Sequence, residues 1–294
     1  MLDYRFYTFL TLSKALNFTK AADELCITQP AVSQHIRYLE HTYGCKLFVH
    51  HGNKLALTRQ GLILQQCISG MAADEQHAKE LMQLVDSKRE SLRFGATLTI
   101  GEFLLPHMLP YYMKEHPHTH INMSVENTST LIQQLQQGDI QFAFVEGYFK
   151  KSEFYHELLS AQRYIAVRHQ AYQLKHEVHC LEDLLAETLI IREKGSGTRE
   201  ILERLLMEQN MDIHDFASTM EIGNINAIVS LVEQQMGITF LYEAAVQKQL
   251  QDKTLIPIEI NGFPLRHDFS FITLKYTQYL QEYTDFLHQI QNQK

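Results

Sequence analysis

The amino-acid sequence predicts a small winged helix-turn-helix head, one dimerising linker helix and a larger α/β domain of two lobes. Three observations predict this fold class. Two short amphipathic helices near the N-terminus are joined by a tight turn. A long helical stretch then carries apolar residues at heptad spacing, and short apolar runs alternate with amphipathic helices over the rest of the 294 residues. We predict the head over 1–58, the linker over 59–87 and the α/β domain over 88–294.

The net charge of −8 is unevenly distributed along the chain. Residues 1–60 carry a net charge of +3, whereas residues 91–294 carry −9. A basic segment at one end indicates a nucleic-acid contact confined to that end, because phosphates attract lysine and arginine. A difference of this size also arises by chance, so charge alone leaves both interpretations open.

Targeting and redox signals favour the cytoplasm. No segment reaches the ~18 apolar residues of a membrane span, and the first residues lack the basic and apolar pattern of a secretory signal. The four cysteines lie far apart without a Cys-x-x-Cys pair, which is typical of a reducing compartment. We therefore expect a cytoplasmic protein without a disulfide framework or a zinc ribbon.

Three helices are predicted in the head. The first covers the amphipathic N-terminal stretch. Thr19 is a candidate N-cap for a second helix over Lys20 to Leu25, and Thr28 is a candidate N-cap for a third. Pro30 fits the first turn of that third helix, where its missing N–H is not needed, and Gly44 ends the helix.

Two short apolar runs around a Gly-Asn turn follow and predict a hairpin, or wing, beside the third helix. In a helix-turn-helix, the second helix of the motif enters the major groove with its N-terminal part, where polar side chains bond base edges. Here that helix is the third helix of the head. A helical hairpin in an ordinary core would show a similar local pattern. On the third helix, the side chains predicted to point outward are those of Gln29, Ser33, Gln34 and Arg37.

Specific motifs occur within about sixty consecutive positions of the head: Phe18-Thr19-Lys20-Ala21-Ala22, then Thr28-Gln29-Pro30-Ala31-Val32-Ser33-Gln34-His35-Ile36, then Leu47-Phe48 and Leu57-Thr58. With these motifs the chain resembles the LysR-type transcriptional regulators. The resemblance implies a sequence-specific regulator that binds double-stranded DNA. We expect phosphate contacts from Thr19, Lys20, Thr28, Arg37 and Lys54, and base-edge contacts from Gln29, Pro30, Ser33 and Gln34.

The wing departs from the family pattern. Arginines are common there in the family, whereas this chain has His50, His51 and Asn53, with Lys54 as the basic residue. Contacts from the wing therefore either are lost or depend on the charge of the histidines.

The linker helix shows a heptad seam of about three repeats. Glu75 is the one charged residue at a heptad position that is otherwise apolar. Gly70 weakens the helix by roughly 1 kcal/mol relative to alanine. The seam favours a dimer, although a helix packed on its own domain is the alternative; the resemblance implies a homodimer through this helix and a homotetramer. The seam consists of Leu64, Ile68, Met71, Glu75, Ala78, Met82 and Val85.

The acidic remainder alternates strands and helices, which predicts a sheet covered on both faces, with a ligand at the carboxyl ends of its strands. The resemblance implies two Rossmann-like lobes similar to periplasmic solute receptors. Lobe I would comprise 88–162 and 264–294, and lobe II 163–263. Predicted strands are Leu92–Ala96, Ile121–Val125, Gln141–Val145, Arg163–Val167, Leu189–Ile191, Ile238–Leu241 and Phe269–Thr273. Predicted helices are Glu102–Glu115, Thr130–Gln136, Arg199–Asn210, Ala227–Gln235 and Gln278–Gln291.

Two hydroxyl-bearing loops between a strand and a helix are candidate effector sites. One contains Thr97 and Thr99, and the other contains Ser196 and Thr198. Free N–H groups at a helix N-terminus together with hydroxyls favour an anion, although simple N-capping would also explain such residues. The family places effector contacts at loops like these. Lys194, beside the second loop, is interpreted as solvated.

A third candidate region contains Thr128 and Glu146, at the ends of the next strands. Glu146 could orient a donor group of the ligand or pair with a neighbouring cation, and both possibilities stay open. Together with the two hydroxyl loops, this region predicts a small, anionic metabolite as effector.

We predict no metal, no cofactor and no enzymatic activity. Three alternate histidines at His116, His118 and His120 lie in a loop without further ligands at zinc-finger spacing. No catalytic triad or carboxylate pair stands in a recognisable frame, which is weak evidence because such groups can be scattered in sequence. A solute-binding receptor without regulation, or an enzyme using the same cleft, remains the alternative.

Overall fold

A computed structural model describes residues 2–52, 54–84 and 91–292. Asn53 of the predicted wing and Val85 of the predicted heptad seam lie outside these ranges. Within the described part of the chain, no helix is long and apolar enough to cross a membrane.

The head contains three helices and a hairpin around one small core. Val32, Ile36 and Leu39 are buried, as the amphipathic pattern predicts, and they pack with Phe9 and Leu12 of the first helix. The hairpin pairs its two strands antiparallel from Phe48↔Leu57 to His51↔Lys54. The elements are α1 (Tyr4–Ala15), α2 (Phe18–Glu24), α3 (Gln29–Tyr43), β1 (Phe48–His51) and β2 (Lys54–Leu57).

The caps of α2 and α3 decide how the turn between them is built. The prediction of Thr19 as the cap of α2 is wrong. Asn17 is the N-cap, its side chain accepts from the Lys20 N–H at 3.0 Å, and the helix therefore begins at Phe18. Asparagine is at least as good an N-cap as threonine. The Thr28 cap of α3 is confirmed, since its hydroxyl accepts from Ala31 N–H at 3.3 Å.

A single helix, α4 (Arg59–Leu84), connects the head to the α/β domain. Part of the predicted heptad seam packs on the chain itself, because Ile68 is buried in the core of the head and Leu64 packs against that core. Glu75 accepts hydrogen bonds from Leu2 N–H and Tyr7 Oη, both at 3.1 Å. Glu75, the charged residue of the predicted seam, thus binds the N-terminal segment to α4.

Gly70 brings α4 against the α/β domain. A Cβ at this position would lie 2.7 Å from the carbonyl oxygen of Tyr276, so a larger residue would push the helix away. Asp74 continues this contact by accepting from Thr277 Oγ1 at 2.6 Å and from Gln278 N–H at 2.9 Å. The close approach explains why a residue that weakens a helix occupies its middle.

The α/β domain is built on a seven-stranded mixed sheet. Its strand order is β10-β6-β11-β5-β3-β4, and β9 also pairs with β6; β7 and β8 form a separate parallel pair. The strands are β3 (Ser91–Ala96), β4 (His120–Val125), β5 (Phe142–Val145), β6 (Phe154–His169), β7 (Thr188–Ile191), β8 (Ser218–Glu221), β9 (Thr239–Tyr242), β10 (Leu255–Pro257) and β11 (Leu265–Leu274). The helices are α5 (Leu105–Glu115), α6 (Thr128–Gln137), α7 (Gly197–Glu208), α8 (Ile225–Glu233), α9 (Gln247–Gln251) and α10 (Leu280–Gln291).

Strands β6 and β11 run antiparallel along ten residue pairs and are shared by the two lobes. The predicted strand Arg163–Val167 is only the second half of β6. Among residues 154–163 only Phe154 and Leu159 are buried, whereas residues 164–167 are all buried. The sequence therefore shows an apolar run only in the second half.

Three of the strands and α-helices given above are absent from the predictions: β8, β10 and α9. They are three to five residues long. In addition, the predicted helix at Glu102 begins earlier, as a π-helical turn over Ile100–Leu104 that leads into α5. Such short segments carry too few periods for a pattern to be detected.

Candidate functional site

The exposed face of α3 presents a row of polar side chains. Gln29, Pro30, Gln34 and Arg37 are exposed and Ser33 is half-buried, while the opposite side of the helix packs into the core. The Gln29 amide donates to Ser33 Oγ at 3.1 Å. Amide, hydroxyl and guanidinium groups on one helical face can bond base edges and phosphates in a major groove.

The remaining predicted DNA contacts surround this row. Thr19, Lys20, Thr28 and Lys54 are all exposed. All nine predicted residues therefore lie on the surface of the head.

Contacts from α1 hold α3 in place. The guanidinium of Arg5 lies 3.9 Å from the ring centre of Tyr38 and pairs with Asp3 at 2.7 Å. Thr8 Oγ1 lies 2.9 Å from His35 Nδ1. These positioning residues were not predicted, because partners on different helices leave no periodic signal in the sequence.

The second candidate site is the cleft between the lobes, and Glu146 lies at its centre. This residue follows β5 and is 1% exposed. Thr198 Oγ1 donates to its Oε1 at 2.7 Å, which joins the first turn of α7 in lobe II to the residue after β5 in lobe I. The Tyr242 hydroxyl donates to the Glu146 carbonyl oxygen at 3.2 Å.

The electrostatic environment of Glu146 is set mainly by burial. Burial raises the pKa of its carboxyl group, because the charged form loses its hydration. The nearby hydroxyls of Thr99, Thr198 and Thr97 and the positive charge of Arg192 lower this pKa in part. Of these hydroxyls, that of Thr198 makes the hydrogen bond to Oε1. The Thr97 hydroxyl faces the carboxyl group without meeting hydrogen-bond geometry to any partner.

The lobes approach each other closely beside Glu146. A Cβ at Gly197 would lie 2.6 Å from Gly147 Cα, a distance that excludes any larger side chain. A Cβ at Gly147 would in turn lie 2.9 Å from Thr128 Oγ1. The two glycines bring the N-terminus of α7 next to the first residue of α6.

Polar atoms without partners are concentrated in this cleft. In the described ranges, seven buried side-chain nitrogen or oxygen atoms have no hydrogen-bond partner, and five of them belong to residues around the cleft. An unpaired buried polar group costs about 1–3 kcal/mol, so such a cluster indicates a ligand site. The five atoms are Thr97 Oγ1, Thr128 Oγ1, Glu146 Oε2, Arg192 Nη1 and Ser196 Oγ.

The structure brings all six predicted effector residues together. Thr97 and Thr99 follow β3, Thr128 opens α6, and Ser196 and Thr198 stand at the start of α7. All of them, with Glu146, are buried. Ser196 occupies the N-cap position without making a side-chain cap bond, so simple capping does not explain its hydroxyl.

Arg192 is a cleft residue that sequence reasoning missed. It is 3% exposed, and its Nε and Nη2 bond Glu193 at 2.7 and 2.8 Å, which leaves Nη1 free of partners. Its signal in the sequence is its position directly after the apolar strand β7, where ligand groups gather in α/β domains. Lys194, by contrast, is exposed.

The histidine loop shows no metal site. His116 stacks on Tyr112 with ring centres 4.3 Å apart, and its Nε2 lies 2.9 Å from Gln289 Oε1. Over the described residues, no group of three His, Cys, Asp or Glu side chains is placed to hold a metal ion.

Comparisons with known families match both parts of the chain. A model described as "LysR substrate binding domain" matches residues 86–293, and one described as "Bacterial regulatory helix-turn-helix protein, lysR family" matches residues 5–62. The chain belongs to the LysR family of transcriptional regulators. It is therefore a DNA-binding transcription regulator whose activity is modulated by a small metabolite.

Individual relatives agree with this assignment. The chain is 31% identical over 252 residues to the uncharacterized HTH-type transcriptional regulator YeiE of Escherichia coli, covering 86% of this chain and 84% of the relative. It is 28% identical over 290 residues to the HTH-type transcriptional activator CmpR of Synechocystis sp., covering 97% and 94%.

Solved structures show the same fold. ArgP from Mycobacterium tuberculosis matches with a TM-score of 0.63 at 16% identity, over 100% of this chain and 98% of that chain. The regulatory domain of CcmR from Synechocystis, in complex with 2-PG, matches with a TM-score of 0.61 at 20% identity, over 69% and 98%.

Proposed function

We propose that this LysR-family regulator reads its operator with the exposed face of α3. The supporting observation is that Gln29, Gln34 and Arg37 are exposed and Ser33 is half-buried, opposite a buried helix face. Base-edge contacts come from Gln29, Pro30, Ser33 and Gln34, and phosphate contacts from Thr19, Lys20, Thr28, Arg37 and Lys54.

The effector is a small anionic metabolite bound between the lobes. The observation that carries this proposal is the group of five unpaired, buried polar atoms around Glu146. Three hydroxyls, one guanidinium N–H and the N-terminus of α7 supply donors, and the helix end favours negative charge. The contact residues are Thr97, Thr99, Thr128, Glu146, Ser196 and Thr198.

Strand β5 gives a route from the cleft to the linker helix. Glu146 follows its last residue, and Gln141 precedes its first. The Gln141 side chain bonds His77 of α4, with Nε2 2.7 Å from Nδ1. A ligand that shifts this strand by favouring one lobe arrangement would thus change the position of α4 relative to the α/β domain.

The homodimer forms through α4, and two dimers form a tetramer. The helix leaves Ile63, Met71 and Met82 exposed on one side, by 51%, 53% and 67%. Met71 and Met82 belong to the predicted seam, whereas Ile63 lies one residue before its first member. The seam residues Leu64 and Ile68 pack on the head instead. Isolated soluble helices rarely expose such a face, so a second copy is the occupant we propose.

The chain divides into a head over 1–58, a linker over 59–87 and an effector domain over 88–294. Lobe I comprises 88–162 and 264–294, and lobe II comprises 163–263. The supporting observation is that β6 continues from one lobe to the other through Gln162, opposite His267 of β11. The protein acts in the cytoplasm and carries out no catalysis.

A salt-dependent mobility-shift assay on the DNA upstream of the protein's own coding region tests the DNA contacts. Gln29→Ala should weaken specific binding with little change on competitor DNA, because amides read base edges. Arg37→Ala should weaken both and lower the salt slope by about 1. Lys14→Ala, an exposed residue at the end of α1, is the control. Equal binding by all four proteins contradicts the proposal.

Calorimetry with small oxyanions tests the pocket. Thr97→Val keeps the shape of the side chain and removes one unpaired donor, so any bound anion should dissociate more readily. The Thr130→Val variant is the matched control, because that hydroxyl already has a partner, donating to Asn127 Oδ1 at 3.0 Å. If Thr97→Val binds as tightly as wild type, the pocket assignment is wrong.

Sedimentation tests the dimer. Met71→Glu places a charge on the apolar face of α4 and should shift the chain toward monomer, whereas Gln76→Glu, on an exposed position elsewhere on the helix, should not. A monomeric wild type would contradict the proposed assembly.

A further inference from the structure

One group in the cleft conflicts with a simple anion. Four of the five unpaired atoms belong to hydroxyls or a guanidinium, which can donate to an anion. The fifth is Glu146 Oε2, and an ionised carboxylate has no hydrogen to donate and repels a second negative charge. A ligand that satisfies the first four must also satisfy this oxygen.

The two oxygens of Glu146 have different surroundings. Oε1 accepts from Thr198 at 2.7 Å, whereas Oε2 is buried and without a partner. The carboxyl group is therefore already held by the protein at one oxygen and available at the other. A hydrogen between Oε2 and a ligand oxygen would remove the conflict, because the two groups would then attract each other.

We propose that the effector is a small oxyanion that also carries one hydrogen-bond donor, and that Glu146 Oε2 selects it by accepting that hydrogen. This inference rests on the proposed effector site and names the class of ligand. It makes Glu146 the specificity-determining residue of the cleft, and Thr97, Thr128, Ser196 and Arg192 the donors that hold the remaining oxygens.

Among the residues that the structure describes, no other titratable group in contact with Glu146 takes over this role. Tyr164 of β6 donates to the Thr198 carbonyl oxygen at 2.9 Å, and Tyr242 of β9 donates to the Glu146 carbonyl oxygen. Burial raises the pKa of both phenols well above 10, so both stay neutral donors. Arg192 faces the carboxyl group from the loop after β7.

His267 of β11 and Tyr148 lie one contact further away. His267 Nδ1 is 3.1 Å from the Tyr242 hydroxyl, and burial lowers the pKa of this histidine, which favours its neutral form. The Tyr148 ring contacts the His267 ring edge-on, with ring centres 5.5 Å apart. Neither group contacts the carboxyl oxygens, so Glu146 alone among these groups offers the ligand a free acceptor.

The close approach of the lobes restricts ligand size. Gly147 and Gly197 are in backbone contact beside Glu146, and Thr128 closes the same corner. This close approach favours a ligand with few non-hydrogen atoms.

Two matched pairs of small anions test the inference: phosphate against sulfate, and glycolate against acetate. The first member of each pair carries a donor at neutral pH and the second does not. In calorimetry with the full chain, we expect the donor-bearing member of at least one pair to bind about tenfold more tightly or better, as one hydrogen bond to a charged group requires.

Glu146→Gln is the decisive variant. Its amide keeps an acceptor for Thr198 and places an N–H donor where Oε2 stood, so the preference should fall below about twofold or reverse toward sulfate or acetate. Glu126→Gln is the control, because it removes the same charge at an exposed position near the cleft and should preserve the preference. Thermal unfolding of each variant shows whether it is folded.

The outcomes are distinct. Equal affinity of wild type for both members of each pair, or binding of none of the four anions, overturns this inference. If binding without discrimination is still weakened by Thr97→Val, the proposed effector site stands and only the ligand class fails. If Glu146→Gln does not fold, the inference is tested by the wild type alone: it stands if wild type prefers the donor-bearing anion of at least one pair, and it fails otherwise.

Discussion

The exposed face of α3 and the cleft around Glu146 differ in what their polar atoms contact before a ligand arrives. On α3 these atoms face water, so they are satisfied at little cost. In the cleft, five of them are buried without partners, at a cost of about 1–3 kcal/mol each. A ligand in the cleft relieves this cost, whereas DNA on α3 only exchanges one set of hydrogen bonds for another.

The difference indicates where regulation originates. A site with unpaired buried groups binds its ligand with a large free-energy difference between the empty and occupied states, and such a difference can shift a conformational equilibrium. The head gains its specificity instead from the geometry of one helix that is already formed. The following predictions test this contrast, from the largest expected effect to the smallest.

Gly197→Val should have the largest effect, because a side chain here meets the backbone of Gly147 within 2.6 Å. We expect the effector domain to lose about 3 kcal/mol of unfolding free energy, at the upper end for overpacking, and the cleft to lose its ligand. Denaturant unfolding and calorimetry measure both.

Gly223→Val is the control for that change, since the nearest atom to its Cβ lies at 3.8 Å. Equal destabilisation by the two variants would show that the lobes are not in contact at Gly147.

Gln34→Ala should reduce specific DNA affinity by about 2 kcal/mol, the scale of one good base contact, without changing the stability of the head, because the side chain is exposed. Competitive binding to the operator and to a scrambled site separates the two effects. A uniform loss on both DNAs would instead make Gln34 a phosphate contact.

Thr28→Ala should cost about 1 kcal/mol of stability, as expected for the loss of an N-cap. The N-terminus of α3, which carries the proposed DNA contacts, would fray first. Thr42→Ala, whose hydroxyl donates within the helix to the Tyr38 carbonyl at 2.9 Å, should be close to neutral. Thermal unfolding of the two variants gives the comparison directly.

His77 connects the two regions and should give a small pH effect. Burial lowers its pKa from 6.5 in the folded chain. The unfolded chain therefore binds the proton more readily, and the stability contributed by neutral His77 is present above pH 6.5 and is lost as pH falls below it.

His77→Asn should flatten the decrease in unfolding free energy between pH 7 and pH 5. Denaturant unfolding at several pH values measures the slope. An unchanged slope in the variant would mean that the decrease comes from other groups.

Prediction from sequence was accurate where a signal is local. The Thr28 cap, Pro30 in the first turn and the Gly44 stop concern neighbouring residues, and all three are found in the structure. It was wrong at Thr19, because Asn17, two residues earlier, caps α2. The short strands and the first half of β6 were not predicted, because their apolar pattern is interrupted or brief.

The sequence alone determined the order of the parts, the helix with an exposed polar face in the head, and the loops that reach the cleft. These follow from spacing along one chain. Only the tertiary structure decided that Arg192 joins those loops, that Leu64 and Ile68 pack on the head, and that Glu146 Oε2 is left without a partner. The reason is physical: burial and pairing depend on residues far apart in sequence, and a pattern within a short window contains no information about them.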